Sequence, residues 1–267
     1  MPIQYFGTFP TVEYTLTKDP MDAKTVVDIT RRVGIRNDFS DYISSYYKQV
    51  VVDSRPPEQY ARSAFGSTLD HWILLHINGI IDPYFDWVLD GVKFDDYIQK
   101  RYPDEVLIYD ITSADQYGEN FIIGETITGS ESESTAVVKD SKPDLGQIVY
   151  ESGPTWDTSP PDVITGSVSG LTATVESTVK EYAAPRFYEV VRDNGDGSED
   201  RLIVDKGFSN TERENLPGGT SSWTAPVAVD NATYEDRINE ENREIKLLHA
   251  DLVGTFEEEF KKKIRWM

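Results

Sequence analysis

Few residues in this chain have the types and spacing that chemistry requires. The three histidines are His71, His76 and His249. His71 and His76 stand five apart, whereas two imidazoles on one helix face reach a common metal ion at a spacing of three or four. They are expected to be structural, and no metal site is expected. Cysteine is absent, which removes thiolate nucleophiles, disulfides and cysteine zinc sites. Gly166-Ser167-Val168-Ser169-Gly170 misses the nucleophile elbow, because valine holds the central place where serine must stand. It reads as a β-turn. Asp193 to Asp200 is rich in acids, yet Gly195 and Gly197 take two of the alternate positions at which a calcium loop needs oxygen ligands. A solvated hairpin loop is the expectation. Asp95-Asp96 and Glu257-Glu258-Glu259 are followed on predicted helices by lysines, which makes them solvated faces rather than acid–base pairs. There is no glycine-rich phosphate loop, and the sequon Asn231-Ala232-Thr233 matters only in a secreted protein. The chain is expected not to be an enzyme and to carry no cofactor.

Composition narrows the partners. The 267 residues hold 26 Lys+Arg against 47 Asp+Glu, a net charge of −21. Such a chain repels phosphate backbones and anionic bilayers, so neither nucleic acid nor membrane is an expected partner. Aromatic residues make up 12% of the chain, with 15 Tyr and 5 Trp, which suits cores and protein interfaces alike. The opening Met1-Pro2-Ile3-Gln4-Tyr5-Phe6 lacks the pattern of a signal peptide, and no apolar run is long enough to span a bilayer. Folding in a cytoplasm is expected.

The elements that must position these residues are legible in places. Ile3 to Tyr14 reads as extended, and Lys24 to Val33 as a strand or a strand running into a helical turn. Tyr46 to Asp53 is dense in β-branched and aromatic residues and reads as a strand. Pro56 and Pro57 suit a first helical turn, Tyr60, Ala61, Ala64 and Phe65 form one face, and Gly66 ends the helix. Ser67 or Thr68 then caps a second helix through Trp72 to Ile77, apolar nearly all round and therefore buried on most sides. Ile80 to Tyr84 reads as an exit turn, and Val92 to Tyr102 as a third helix stopped by Pro103. Residues 118–181 hold eleven acids against three bases and repeat at an offset of 37: Ile127-Thr128-Gly129-Ser130 recurs as Ile164-Thr165-Gly166-Ser167. Two similar hairpins in an all-β insert are expected. Phe187 to Arg192 and Arg201 to Asp205 read as a further hairpin, and 206–233 as irregular. Leu252, Phe256, Phe260 and Ile264 make an apolar stripe on a C-terminal helix, which needs a docking surface in this chain or in a neighbour.

Arg55-Pro56-Pro57-Glu58, Ala61, Phe65-Gly66, Trp72-Ile73-Leu74-Leu75, Asn78, Ile81-Asp82-Pro83-Tyr84 and Trp87 resemble the central block of a baseplate wedge family, typified by the gene 53 product of T-even contractile-tailed phages. Glu241 to Leu248 is similar to that family's C-terminal signature, and Val27 to Arg32 to its N-terminal region. The same central block also resembles a LysM domain, a βααβ module known for binding peptidoglycan. The resemblance implies an α+β fold: a LysM-like βααβ core with an all-β insert and a C-terminal amphipathic helix. The resemblance covers roughly residues 1–110, an N-terminal arm with a LysM-like wedge-contact domain, and 234–267, a C-terminal strand and docking helix; the acidic β-rich insert (118–183), which is not part of the family pattern, and a hairpin with an irregular segment (184–233) lie between. It further implies a structural subunit of the virion's tail baseplate that clamps wedge proteins and helps join neighbouring wedges. The implied partners are other wedge and inner-baseplate or tail proteins, with six copies per baseplate. A peptidoglycan-binding module is the alternative. Tyr60, Trp72, Tyr84, Trp87, Leu252, Phe256, Phe260 and Ile264 are the interface candidates.

Overall fold

The computed structural model describes residues 5–15, 23–31, 45–52, 55–111 and 120–266. The predicted continuations through Val33 and Asp53 lie outside them. The chain divides into two compact units, Met1–Val92 with Ile238–Met267, and Lys93–Arg237.

In the first unit a single helical turn, Tyr5–Thr8, precedes β1 (Thr11–Tyr14), which pairs antiparallel with β2 (Lys24–Val27). Both strands of this ribbon are exposed along their length, and two strands alone are marginally stable in water. The strand β3 (Tyr46–Val50) leads into α1 (Pro57–Phe65) and α2 (His71–Ile77). Pro57 opens α1, where a missing amide costs nothing, and Gly66 closes it at φ 82°, a conformation in which a Cβ is strained. Ser67 caps the short turn Thr68–Asp70, its side chain accepting from Leu69 N at 3.1 Å, and that turn runs directly into α2.

The helix α3 (Gly91–Arg101) carries the chain into the second unit and ends before Pro103. A closed six-stranded barrel comes next, built from β4 (Glu105–Tyr109), β5 (Thr126–Gly129), β6 (Thr135–Lys142), β7 (Gln147–Tyr150), β8 (Val163–Gly166) and β9 (Thr172–Lys180) in the order β4-β7-β6-β5-β8-β9. Leu107, Ile127, Val138, Ile148, Tyr150, Trp156, Ile164 and Val175 belong to the cluster that fills it. β4 and β7 are buried on both faces, because Val106, Ile108 and Val149 pack outside the barrel with Ala184. The runs Val106 to Tyr109 and Gln147 to Tyr150 accordingly lack polar alternation. The expected insert thus gains a strand from upstream: without β4 its sheet cannot close.

The 37-residue repeat is a structural duplication. Its two hairpins, β5–β6 and β8–β9, meet through β5 and β8 with Ile127 opposite Gly166, Thr128 opposite Thr165 and Gly129 opposite Ile164. The offset exchanges the two sides of this register, as a local two-fold axis does. Each repeat also sends a buried acid into the turn of the other. Asp162 Oδ1 accepts from Glu131 N at 2.7 Å and Ser132 N at 3.0 Å. Glu125 Oε2 accepts from Val168 N and Ser169 N, both at 2.9 Å. Glycine is needed beneath each acid: a Cβ on Gly129 stands 2.8 Å from Asp162 Oδ1, and one on Gly166 stands 2.7 Å from Glu125 Oε2.

Beyond the barrel, β10 (Pro185–Asp193) pairs with β11 (Glu199–Val204) across the predicted acidic loop. The segment read as irregular is more ordered than expected. It holds the short helix α4 (Asn210–Glu214), then β12 (Val227–Asp230), which pairs with β10, and the first turn of α5 (Asn231–Glu241). Asp230 Oδ1 accepts from Thr233 N at 2.6 Å and caps α5, whose sparse apolar residues hide it from a periodicity search. Its Glu235 is buried and satisfied by Tyr102 Oη at 2.7 Å and Arg101 Nε at 3.3 Å.

The chain returns to the first unit as β13 (Glu244–Leu248) and α6 (Val253–Trp266). β13 pairs antiparallel with β3, from Glu244 opposite Val50 to Leu248 opposite Tyr46. The strand that completes a β-α-α-β order is therefore the distant one, and residues 80–90 form a loop rather than a strand. The fold class is α+β, with the six-stranded barrel as its largest sheet.

Candidate protein-contact site

The two helices of the first unit are clamped between two apolar clusters. Tyr60, Leu74, Trp87, Val88, Ile245 and Leu247 pack on one side. Phe9, Trp72, Ile73, Leu248, Phe260 and Ile264 pack on the other. The helix α2 divides its apolar surface between both, which explains a sequence apolar almost all round. Two of the polar groups inside pair with backbone: Tyr60 Oη accepts from Val52 N at 2.6 Å, and Trp87 Nε1 donates to Arg55 O at 3.0 Å. Asn78 ends α2 by acting as a piece of strand. Its Nδ2 donates to Lys246 O at 2.9 Å while its Oδ1 accepts from Lys246 N at 2.7 Å.

This core holds out a loop. Trp87 is buried, yet six residues upstream Ile81 is 85% exposed, and Tyr84 and Phe85 are 83% and 60% exposed. Carboxylates fix the loop from within. Asp86 Oδ2 accepts from Ile81 N at 3.0 Å and Asp82 N at 2.9 Å, and Asp82 Oδ1 accepts from Tyr84 N at 2.9 Å. The apolar side chains therefore face water on a preformed turn, which lowers the ordering cost of any contact they make.

The eight interface candidates separate on this geometry. Tyr60, Trp72, Trp87, Phe260 and Ile264 are buried in the unit's own core. Leu252 and Phe256 are half-buried against the same cluster. The stripe on α6 thus docks within its own unit, with the Phe260 ring 4.7 Å from that of Trp72. Tyr84 alone of the eight projects into solvent. Ile81 and Phe85 join it, and sequence reasoning misses them because apolar residues in an exit turn read as core. The β1–β2 ribbon adds Val12, Tyr14, Val26 and Val27 as exposed apolar surface.

Among the described residues no group of three or more His, Asp or Glu is placed to hold a metal ion. His71 Nδ1 bonds to Thr68 O at 2.9 Å. His76 lies against Phe260 and Phe256, and burial holds its imidazole below the usual histidine range. In the acidic loop Asp193 and Asp196 accept from the amides of Gly195 and Ser198, as a self-contained turn does. Among the described residues no helix is long and apolar enough to cross a membrane.

Residues 4–105 match the family model described as base plate wedge protein 53. Over that span the chain is similar to this family. The match takes in the ribbon, both helices and the exposed loop, and it stops where the barrel begins. A search of curated proteins finds no match. The similarity supports a structural role in a phage-tail baseplate, among other baseplate proteins of the virion.

Proposed function

We propose that the first unit clamps neighbouring wedge proteins and helps join one wedge to the next, in six copies around the tail axis, after folding in the host cytoplasm. The observation that carries this reading is the coincidence of the family match with the preformed apolar loop at Ile81, Tyr84 and Phe85. The order β3-α1-α2-β13, with the two strands antiparallel, supports a LysM-like core used as a protein-contact unit. The barrel is a separate addition, and its role in the clamp is secondary. Mixing purified chain with the remaining wedge proteins of the same tail tests the proposal: one stoichiometric complex on size-exclusion chromatography is expected, and separate elution sinks it.

The same strand–helix–helix–strand order favours a second reading, a peptidoglycan-binding module. Saturable retention of the chain on purified peptidoglycan, with no wedge complex formed, favours this alternative.

A further inference from the structure

The exposed loop has an electrostatic setting that its apolar residues do not reveal. Between Arg62 and Lys93 the chain carries Asp70, Asp82, Asp86 and Asp90 and no lysine or arginine. Asp70 is buried, whereas Asp82 and Asp86 sit within the loop itself and bracket Tyr84 and Phe85. The amides that Asp82 and Asp86 accept set the turn but leave both charges in place. The loop's own segment is therefore acidic, with apolar tips between its carboxylates. A fixed apolar tip flanked by carboxylates has the make-up of an interface hot spot beside a polar rim.

Resting on the wedge reading, we infer that Ile81, Tyr84 and Phe85 form a knob that seats in an apolar pocket rimmed by lysine and arginine on another baseplate protein. The charge selects the partner. The knob of a second copy presents the same carboxylates, Asp82 and Asp86, and is repelled, and an anionic bilayer is repelled likewise. A basic rim is attracted at a distance, steers the encounter, and leaves the apolar tips to slow dissociation.

The test uses the full chain and wedge complexes of the same tail assembled without it, with affinity measured at 50 and 500 mM NaCl. Wild type is expected to bind and to weaken several-fold at the higher salt. The double variant Ile81→Ser/Tyr84→Ser should bind at least tenfold more weakly with an unchanged melting temperature, since both side chains are more than four-fifths exposed. Asp82→Asn/Asp86→Asn keeps a carbonyl acceptor for each amide, so it should preserve the fold and flatten the salt dependence. Wild-type affinity in the apolar variant overturns the knob and leaves the wedge reading intact. Binding insensitive to salt overturns the basic rim. Retention of wild type on phosphatidylglycerol vesicles, lost in the apolar variant, overturns the protein partner in favour of a membrane. Failure of wild type to bind the wedge complexes overturns the wedge reading, and this inference with it.

Discussion

The carboxamide of Asn78 takes both main-chain groups of Lys246, so a side chain from a helix end supplies what a third strand would supply to β13. Asn78→Ala strands the Lys246 amide and carbonyl and should destabilise the first unit by about 2–4 kcal/mol, read as urea unfolding with loss of amide protection along β3 and β13. In the barrel, Glu125 and Asp162 act with comparable economy. Burial pushes each carboxyl up, but amide and serine hydroxyl hydrogen bonds outweigh it, and both end below the usual carboxylate range. A lowered native pKa stabilises the fold above the unfolded value near 4 and loses that stabilisation as pH falls through the native one. Asp162→Asn should therefore differ most from wild type at pH 7 in urea midpoint, with the gap narrowing by pH 3. His76 has the opposite charge type. Its lowered imidazole stays neutral in the fold while the unfolded chain protonates, so its penalty grows as pH drops below about 6.5.

Among the elements, the helices of the first unit were legible because their punctuation is local: Pro57 starts α1, Gly66 stops it, and Ser67 caps the turn into α2. The stripe on α6 was legible too, though not its destination. Sequence spacing says that Phe256, Phe260 and Ile264 share a face, and only tertiary packing says that Trp72 and Ile73 cover it. Phe260→Ala should consequently cost about 3–5 kcal/mol of folding stability, while Phe256→Ala, at a half-buried position, costs less; thermal unfolding of the two variants checks the ranking. Pairings across long separations were out of reach. β13 closes on β3 after nearly two hundred residues, and β4 enters the barrel ahead of the repeat that announces it. The crossed acids were within reach, since the offset that aligns Ile127 with Ile164 also aligns Glu125 with Asp162. The contact loop was half legible. Asp82 to Trp87 reads as a turn, but which apolar residues a turn shows to water depends on what its neighbours leave uncovered.

Across the whole molecule, the first unit, whose N-terminal part matches the base plate wedge family model, is interrupted by a barrel and a further sheet. Leu89 and Asn239 exchange two hydrogen bonds, Leu89 N to Asn239 Oδ1 at 2.8 Å and Asn239 Nδ2 to Leu89 O at 3.2 Å, so the two ends of the first unit lie side by side. Replacing residues 93–237 with a short glycine–serine linker should leave a folded unit with the β3–β13 pairing intact, as amide exchange would show. Removing only 118–183 should fail, because it strands the apolar faces of β4 in water. The first unit is, on this reading, a wedge part that holds its neighbours by the loop at Ile81–Phe85. A cryo-EM reconstruction of the baseplate in mature virions decides the matter. The expected map shows six copies of the first unit among the wedge proteins, each with Tyr84 seated in another chain; a map in which this loop faces open solvent, or in which the chain is missing, contradicts it.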